Sequence, residues 1–481
     1  MIFNSLSFLL FFTGFFFLYW FVFNRNLKLQ NILLLVGSYI FYAVADWRFL
    51  ALLVGISVIN FILGIGIERS QRYRKILLWA GMVQGIGGLI FFKYFNFFIS
   101  SFDSLFAGLN LNIDLHLLNI LIPVGISFFT FRTLSYLQDI YKGKTKATAN
   151  WINFFTYVAF FPCILSGPID KAKIFIPQLE KPRLFDYNLA SDGLRQILCG
   201  LFKKMVIADN CSMVTNEIFG NYQNLPGSSL LIAAFLYSIQ IYADFSGYSD
   251  IAIGVSKLLG FKITRNFDYP YFSQNIAEFW RKWHISLTSW LTEYVFSPLN
   301  IAFRDWGKVG VSLAIVINFT IVGIWHGANW TYVLFGFIHG CFFIPLIIKD
   351  TINKKKKIAK GRPFPSLSEL NNVALTCGFV MLTFIIFRSD NISDAFHYYK
   401  IMFSGSLFSN PVVLHQDELL ISIVFLLLMF IVEWVQRERE HALQIDAIKS
   451  PLLRLTIYFG MIACVILMSA TTANQFIYFK F

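Results

Sequence analysis

Residues 5 to 23 read SLSFLLFFTGFFFLYWFVF, a stretch of membrane-spanning length without a single charge. A helix of about 20 apolar residues crosses a bilayer core, and a run that is apolar on every face has no other solvent to suit it. Similar runs recur at 30–46, 49–67, 76–99 and 117–138, and again at 309–327, 329–348, 371–388, 418–434 and 453–471. The first is too long and too aromatic for a signal peptide, and it lacks a basic start and a small-residue cleavage site, so it is expected to stay as a span. Barrel strands alternate in short segments, which these runs do not. The expected fold class is therefore all-α: one polytopic, membrane-embedded domain covering 1–481, with about eleven spans. A composition of 57% hydrophobic and 14% charged residues, with a mean hydropathy of +0.61, agrees.

The net charge of +13 does not indicate a nucleic-acid partner. The cations gather between spans, in RSQRYRK (69–75), KGKTK (142–146) and KKKKIAKGR (354–362). That is the pattern of basic loops held on the cytoplasmic face, where some also suit an anionic substrate or cofactor. Alternation through the first five spans puts the N-terminus outside, together with SFDSLFAGLNLNIDLH (101–116), which has no lysine or arginine. Six scattered cysteines form no CxxC pair, so neither a disulfide framework nor a zinc site is expected, and no metal is.

Between 151 and 300 the apolar pattern breaks at LSGPID, GLFKKMVIADN and DFSGYSD, and at a Trp-rich stretch from 279 to 294. Such breaks at membrane depth imply broken or re-entrant helices lining a cavity, because lipid leaves backbone polar groups unsatisfied. DFSGYSD reads as a broken-helix turn that satisfies its own backbone. Lys203 and Lys204 read as a pair that snorkels at a span end.

Four of the seven histidines, His116, His397, His415 and His441, fall in loops or at span ends and are expected to be solvated. The others, His284, His326 and His339, lie close together in sequence. His284 sits in EFWRKWHISLTSWLTEYVFSPL (278–299), where Trp280, Trp283, Leu287 and Trp290 define one aromatic face if the segment is a single helix, with Arg281 in contrast. His326 lies in GIWHGANW after Trp325, and Asn318 precedes it by two turns. His339, without polar neighbours, is expected to pack or to hydrogen-bond. A neutral imidazole takes a proton from an alcohol near pH 7, which suits acyl transfer. The residues alone leave open a proton channel, a haem site or scaffolding.

The long segment NFDYPYFSQNIAEFWRKWHISLTSWLTEYVFSPL, with GIWHGANW and FGFIHG, closely resembles the membrane-bound O-acyltransferase family, and more narrowly its bacterial alginate O-acetylation branch. PVGISFFTFRTLSYLQDIYKG, FFPCILSGPI, GLFKKMVIADN, DFSGYSDIAIG and FIYFKF follow in the same order along nearly the whole chain. The resemblance implies spans around a central funnel in which a cytoplasmic acyl donor meets an acceptor from the other face. It matches His326 to the family's usual catalytic histidine and His284 to its second. It leaves Asn318, Trp325, Trp283, Asp244 and Arg281 as cavity-lining candidates, and it offers donor phosphates as the alternative to snorkelling for Lys203 and Lys204. The implied donor is acetyl-CoA or an acyl-carrier thioester, and the implied acceptor a polysaccharide or peptidoglycan hydroxyl, reached directly or through an extracytoplasmic SGNH-type acetyltransferase partner. The implied location is the bacterial cytoplasmic (inner) membrane. The alternatives are D-alanyl transfer to teichoic acid and a non-catalytic transporter; no internal repeat favours the latter.

Overall fold

The computed structural model describes residues 1–109, 117–354, 357–469 and 476–477, and among them the only regular structure is helical. His116 lies outside the described residues. The chain divides into two compact units that exchange segments: residues 1–191 with 255–264, and residues 192–254 with 265–481.

The first unit contains α1 (Leu6–Phe17), α2 (Leu27–Ala43), α3 (Arg48–Arg69), α4 (Arg74–Leu89), α5 (Phe95–Gly108), α6 (Ile126–Tyr141), α7 (Trp151–Ala159) and α8 (Ala172–Leu179). Serine and asparagine start several of these: Ser5 accepts from the Phe8 N–H, Asn26 from Leu29 and Asn150 from Ile152 and Asn153. Each satisfies a donor that the first helical turn leaves orphaned. Leu6, Leu9, Leu10 and Phe21 stay exposed along the α1 stretch, as lipid-facing side chains should.

The apolar run 117–138 is not one span. Residues 117–125 are non-helical, helix α6 begins only at Ile126, and nearly all of α6 is buried, including Arg132 and Asp139. Pro123 biases the residues before it away from helix, and hydropathy alone does not separate protein-buried from lipid-facing surface. Arg132 donates to the carbonyls of Tyr157 (2.8 Å) and Pro168 (3.1 Å). It thereby satisfies acceptors around the non-helical LSGPID segment between α7 and α8.

The second unit holds most of α9 (Tyr187–Leu201), then α10 (Asp209–Gly220) and α11 (Gly227–Leu258) as far as Gly254. It continues through α12 (Ile276–Lys282), α13 (Ile285–Leu291), α14 (Ser297–Ala302), α15 (Gly307–His326), α16 (Trp330–Cys341), α17 (Ile344–Ile348), α18 (Leu367–Arg388), α19 (Ile392–Met402), α20 (Gln416–Val435) and α21 (Pro451–Leu467). A π-turn, Phe202–Ala208, joins α9 to α10.

DFSGYSD does not break a helix. It lies inside the 32 continuous residues of α11. Gly247 marks a close crossing instead: a Cβ there would stand 2.8 Å from the Gly200 carbonyl oxygen of α9, and one at Gly200 2.5 Å from that of Gly247. Mutual glycines of this kind let two backbones touch.

Among the described residues, seven helical stretches are long and apolar enough to cross a membrane: Arg48–Arg69, Arg74–Asp103, Gly227–Leu258, Arg304–His326, Trp330–Ile348, Leu367–Arg388 and Gln416–Val435. The stretches Leu6–Val22, Leu27–Ala43 and Pro451–Leu467 are apolar but shorter. The chain is an all-helical, multi-pass membrane protein.

Candidate active site

The segment from 278 to 299 is broken in the middle. Asn275 accepts the Glu278 N–H (2.9 Å) and starts α12, which ends at Lys282. Trp283 is extended, and His284 takes the left-handed conformation with φ 46° and ψ 53° before α13 begins. For a residue with a Cβ that conformation costs roughly 1–2 kcal/mol, so its surroundings must hold it. Asn266 does so from outside the segment. Its carbonyl accepts the Ile285 N–H (2.9 Å), and its Oδ1 accepts the Ser286 N–H (3.2 Å) and Oγ–H (2.7 Å). Asp268 N–H adds a bond to the Lys282 carbonyl (3.0 Å). The orphan donors opening α13 are thus capped by Asn266, which lies 20 positions before Ser286.

His284 is 1% exposed. Its Nδ1 lies 3.3 Å from Asn266 Oδ1, and its ring meets Phe245 of α11 edge-on at 4.7 Å and Trp325 at 5.6 Å. His326, the last residue of α15, is also buried. Its ring lies 4.8 Å from Trp325, 5.0 Å from Phe387 of α18 and 6.1 Å from Phe335 of α16. One indole therefore touches both imidazoles. Phe335 continues the chain of rings to His339 at 4.3 Å. His339 receives the Trp280 Nε1–H at Nδ1 (3.1 Å), so its own proton sits on Nε2, facing Thr383 Oγ1 (2.9 Å). Both its nitrogens are engaged inside the protein, the packing role its sequence context suggests.

Helices α15 and α16 carry His326 and Phe335 and cross through glycines. A Cβ at Gly323 would strike the Tyr332 carbonyl, and one at Gly336 the Phe319 carbonyl. Asn318 of α15 is buried, and its Oδ1 accepts no hydrogen bond among the described residues.

The other sequence candidates disperse. Trp283 is buried in an aromatic block, stacked on Phe279 (5.3 Å) and edge-on to Phe267 (5.1 Å). Arg281 donates to the Ile352 carbonyl (3.0 Å) and lines an open cleft of about 550 Å³ with Arg265, Lys282, Lys357, Arg437 and Arg439. Asp244 belongs to a separate ionic network. Lys204 lies 2.7 Å from Asp244 and 2.8 Å from Asp209, while Lys203 lies 3.1 Å from Asp250 and 3.2 Å from Glu433. Tyr242 donates to Glu433 (2.8 Å) and Gln196 to Asp250 (2.9 Å). Both lysines are buried, so they do not snorkel: carboxylates supply in place the compensation that water or headgroups would give. His441, expected in solvent, is buried with its Nε2 2.9 Å from Asp192. Asn266, Phe245, Phe335 and Phe387 escaped the sequence reading of the site. Asn266 opens the long NFDYPY motif, which is the one signal that marked it. Among the described residues no group of three or more His, Cys, Asp or Glu gathers to hold a metal.

The chain is similar to known proteins. The model of the MBOAT, membrane-bound O-acyltransferase family, matches residues 1–355. The probable alginate O-acetylase AlgI of Pseudomonas syringae pv. tomato is 36% identical over 384 residues, covering 78% of this chain and 70% of that one. The peptidoglycan O-acetyltransferase of Helicobacter pylori is 29% identical over 419 residues, covering 80% and 75%. The teichoic acid D-alanyltransferase of Streptococcus thermophilus is 32% identical over 288 residues, covering 55% and 68%. The chain belongs to the membrane-bound O-acyltransferase family, in its bacterial O-acetylation branch, and is an acyltransferase.

Proposed function

We propose that this protein moves acetyl from cytoplasmic acetyl-CoA towards a hydroxyl of an extracytoplasmic polysaccharide or of peptidoglycan, with His326 as general base. The observation that carries this reading is the buried histidine pair bridged by Trp325. A neutral imidazole keeps a lone pair for an alcohol proton. As the hydroxyl oxygen bonds to the thioester carbonyl carbon, its proton passes to His326. The tetrahedral intermediate then expels the thiolate, which takes that proton. His284, Asn318 and Trp325 border the reacting groups in this scheme.

The basic cleft supports the donor assignment. Arg265 pairs with Asp268, Lys282 with Glu278 and Lys357 with Glu438, which leaves Arg281, Arg437 and Arg439 as surplus cations against Glu440. Such a surplus favours a phosphate-bearing donor. The cleft includes part of the lysine-rich loop expected on the cytoplasmic side, which supports the reading of a cytoplasmic donor and an inner-membrane location. Where the acetyl reaches the glycan by relay rather than directly, the hydroxyl that attacks at His326 is an intermediate carrier's, and the proposed partner is an extracytoplasmic SGNH-type acetyltransferase. Greater coverage of the acetylating relatives (78–80% of the chain against 55%) favours acetyl over D-alanyl.

The test is purified protein with radiolabelled acetyl-CoA, and separately a D-alanyl carrier-protein thioester, each with and without His326→Ala. Acetyl transfer or thioester cleavage that disappears in the variant is the expected result. Activity undiminished in folded His326→Ala overturns the base assignment, and turnover of the carrier thioester alone selects D-alanyl transfer.

A further inference from the structure

We infer that Asn266 is a positioning residue for acyl transfer: it holds neutral His284 with the proton on Nδ1 and Nε2 as hydrogen-bond acceptor. The inference rests on the reading that His284 belongs to the acyl-transfer site. An amide has one end that accepts and one that donates, and the surroundings of Asn266 fix which is which. The backbone N–H of Ser286 can only donate, and it meets Oδ1 at 3.2 Å. Asn266 Nδ2 points the other way, to Ser249 Oγ at 3.2 Å. The atom facing His284 Nδ1 at 3.3 Å is thus an obligate acceptor, so Nδ1 carries the hydrogen. The left-handed His284 backbone, tied to the same asparagine through Ile285 and Ser286, keeps the ring from turning away.

A mechanistic choice follows. A neutral imidazole protonated on Nδ1 has no hydrogen on Nε2 to offer an oxyanion. His284 in this form serves by accepting a hydrogen bond from the incoming hydroxyl, which orients the acceptor for His326. His339, protonated on Nε2, is the opposite tautomer in the same cluster. Phe245, Trp325 and Asn266, which pack on the His284 ring, are uncharged. The charged and titratable groups on the elements that supply them are engaged elsewhere or shared. Asp244 and Asp250 of α11 hold lysines, Arg265 pairs with Asp268, and His326 of α15 touches the same Trp325. An introduced charge at position 266 acts on His284 directly, across the 3.3 Å contact at Nδ1.

Two measurements test this. In ¹⁵N-histidine spectra of the full-length protein, with His284 assigned by its loss in His284→Asn, the neutral ring should show hydrogen on Nδ1. Hydrogen on Nε2 overturns the inference even if no Asn266 variant folds. In Asn266→Asp a carboxylate faces Nδ1 and favours the imidazolium. The acid limb of the kcat/KM profile for acetyl transfer should then rise by about one to two pH units, with activity returning at alkaline pH. A folded Asn266→Asp with an unmoved limb overturns it as well, since a purely structural stitch would lower yield without moving the profile. If the spectra show the expected tautomer while His326→Ala and His284→Asn remain fully active, the acyl-transfer reading falls and the tautomer stands.

Discussion

The lysine–carboxylate network and the histidine cluster are both buried in the second unit, and both depend on α11, but they handle polarity in opposite ways. In the network, two ammonium groups each lie between two carboxylates, and tyrosine and glutamine side chains take up further acceptor positions. Charge taken out of water must be met in place: each ammonium here has two carboxylates, and Tyr242 and Gln196 hydrogen-bond to the carboxylates on the Lys203 side. In the cluster, the histidines need no counterion while neutral, so phenylalanine and tryptophan can wall them in. The difference teaches which assembly has capacity left for a substrate. On the proposed reading, the closed ionic network is scaffold, and the histidine walled by aromatic rings is the base.

The sharpest way to break this distinction is a pair of variants with opposite signatures. His326→Ala should cost about 10²–10⁴-fold in acetyl transfer. Lys204→Met, which strands Asp209 and Asp244 without a cation, should cost about 3–5 kcal/mol of stability, seen as a lower unfolding midpoint in detergent. Adding Asp209→Asn and Asp244→Asn to Lys204→Met should recover much of that loss. If His326→Ala lowers the midpoint as far as Lys204→Met does, the separation of site from scaffold is wrong.

His339 probes the boundary between the two classes. It shares the ring chain with His326, but its nitrogens are taken by Trp280 and Thr383. His339→Leu should therefore cost about 1–3 kcal/mol in stability, from the two partners left unsatisfied. Activity per folded molecule should fall far less than in His326→Ala. Thermal unfolding alongside acetyl transfer checks both halves, and a catalytic loss equal to that of His326→Ala would place His339 in the chemistry.

Much of the fold was legible because long apolar runs have few alternatives, and the motifs marked His326 and His284, which the structure brings to the same indole. What escaped depends on contacts distant in sequence. Trp280, Trp283, Leu287 and Trp290 keep a helical spacing across the break at His284, and no glycine or proline marks it. The break is held by Asn266, which periodicity within 278–299 cannot report. Gly247 has the look of a helix breaker, and only the facing Gly200 shows it to be a crossing point. The run 117–138 has the hydropathy of a span, yet its helical part lies against protein because Arg132 serves carbonyls of the neighbouring segment. Lys203 and Lys204 look like interfacial cations until their carboxylates, drawn from three helices, are brought to them.

The smallest expected effect concerns Trp325, the ring between the two histidines. If the indole acts as a wall, what matters is an aromatic face between imidazoles whose centroids lie 5.6 and 4.8 Å from its own. Phenylalanine keeps such a face with less area. Aromatic contacts are worth roughly 0.5–1.5 kcal/mol beyond burial, so Trp325→Phe should lower kcat by about two- to tenfold and leave KM for the donor unchanged. Trp325→Ala removes the face and should approach the loss seen on disturbing His284. A Phe variant as impaired as the Ala variant would mean that the indole N–H takes part in the reaction, which would make the cluster less like an inert apolar wall and more like the polar network it is contrasted with.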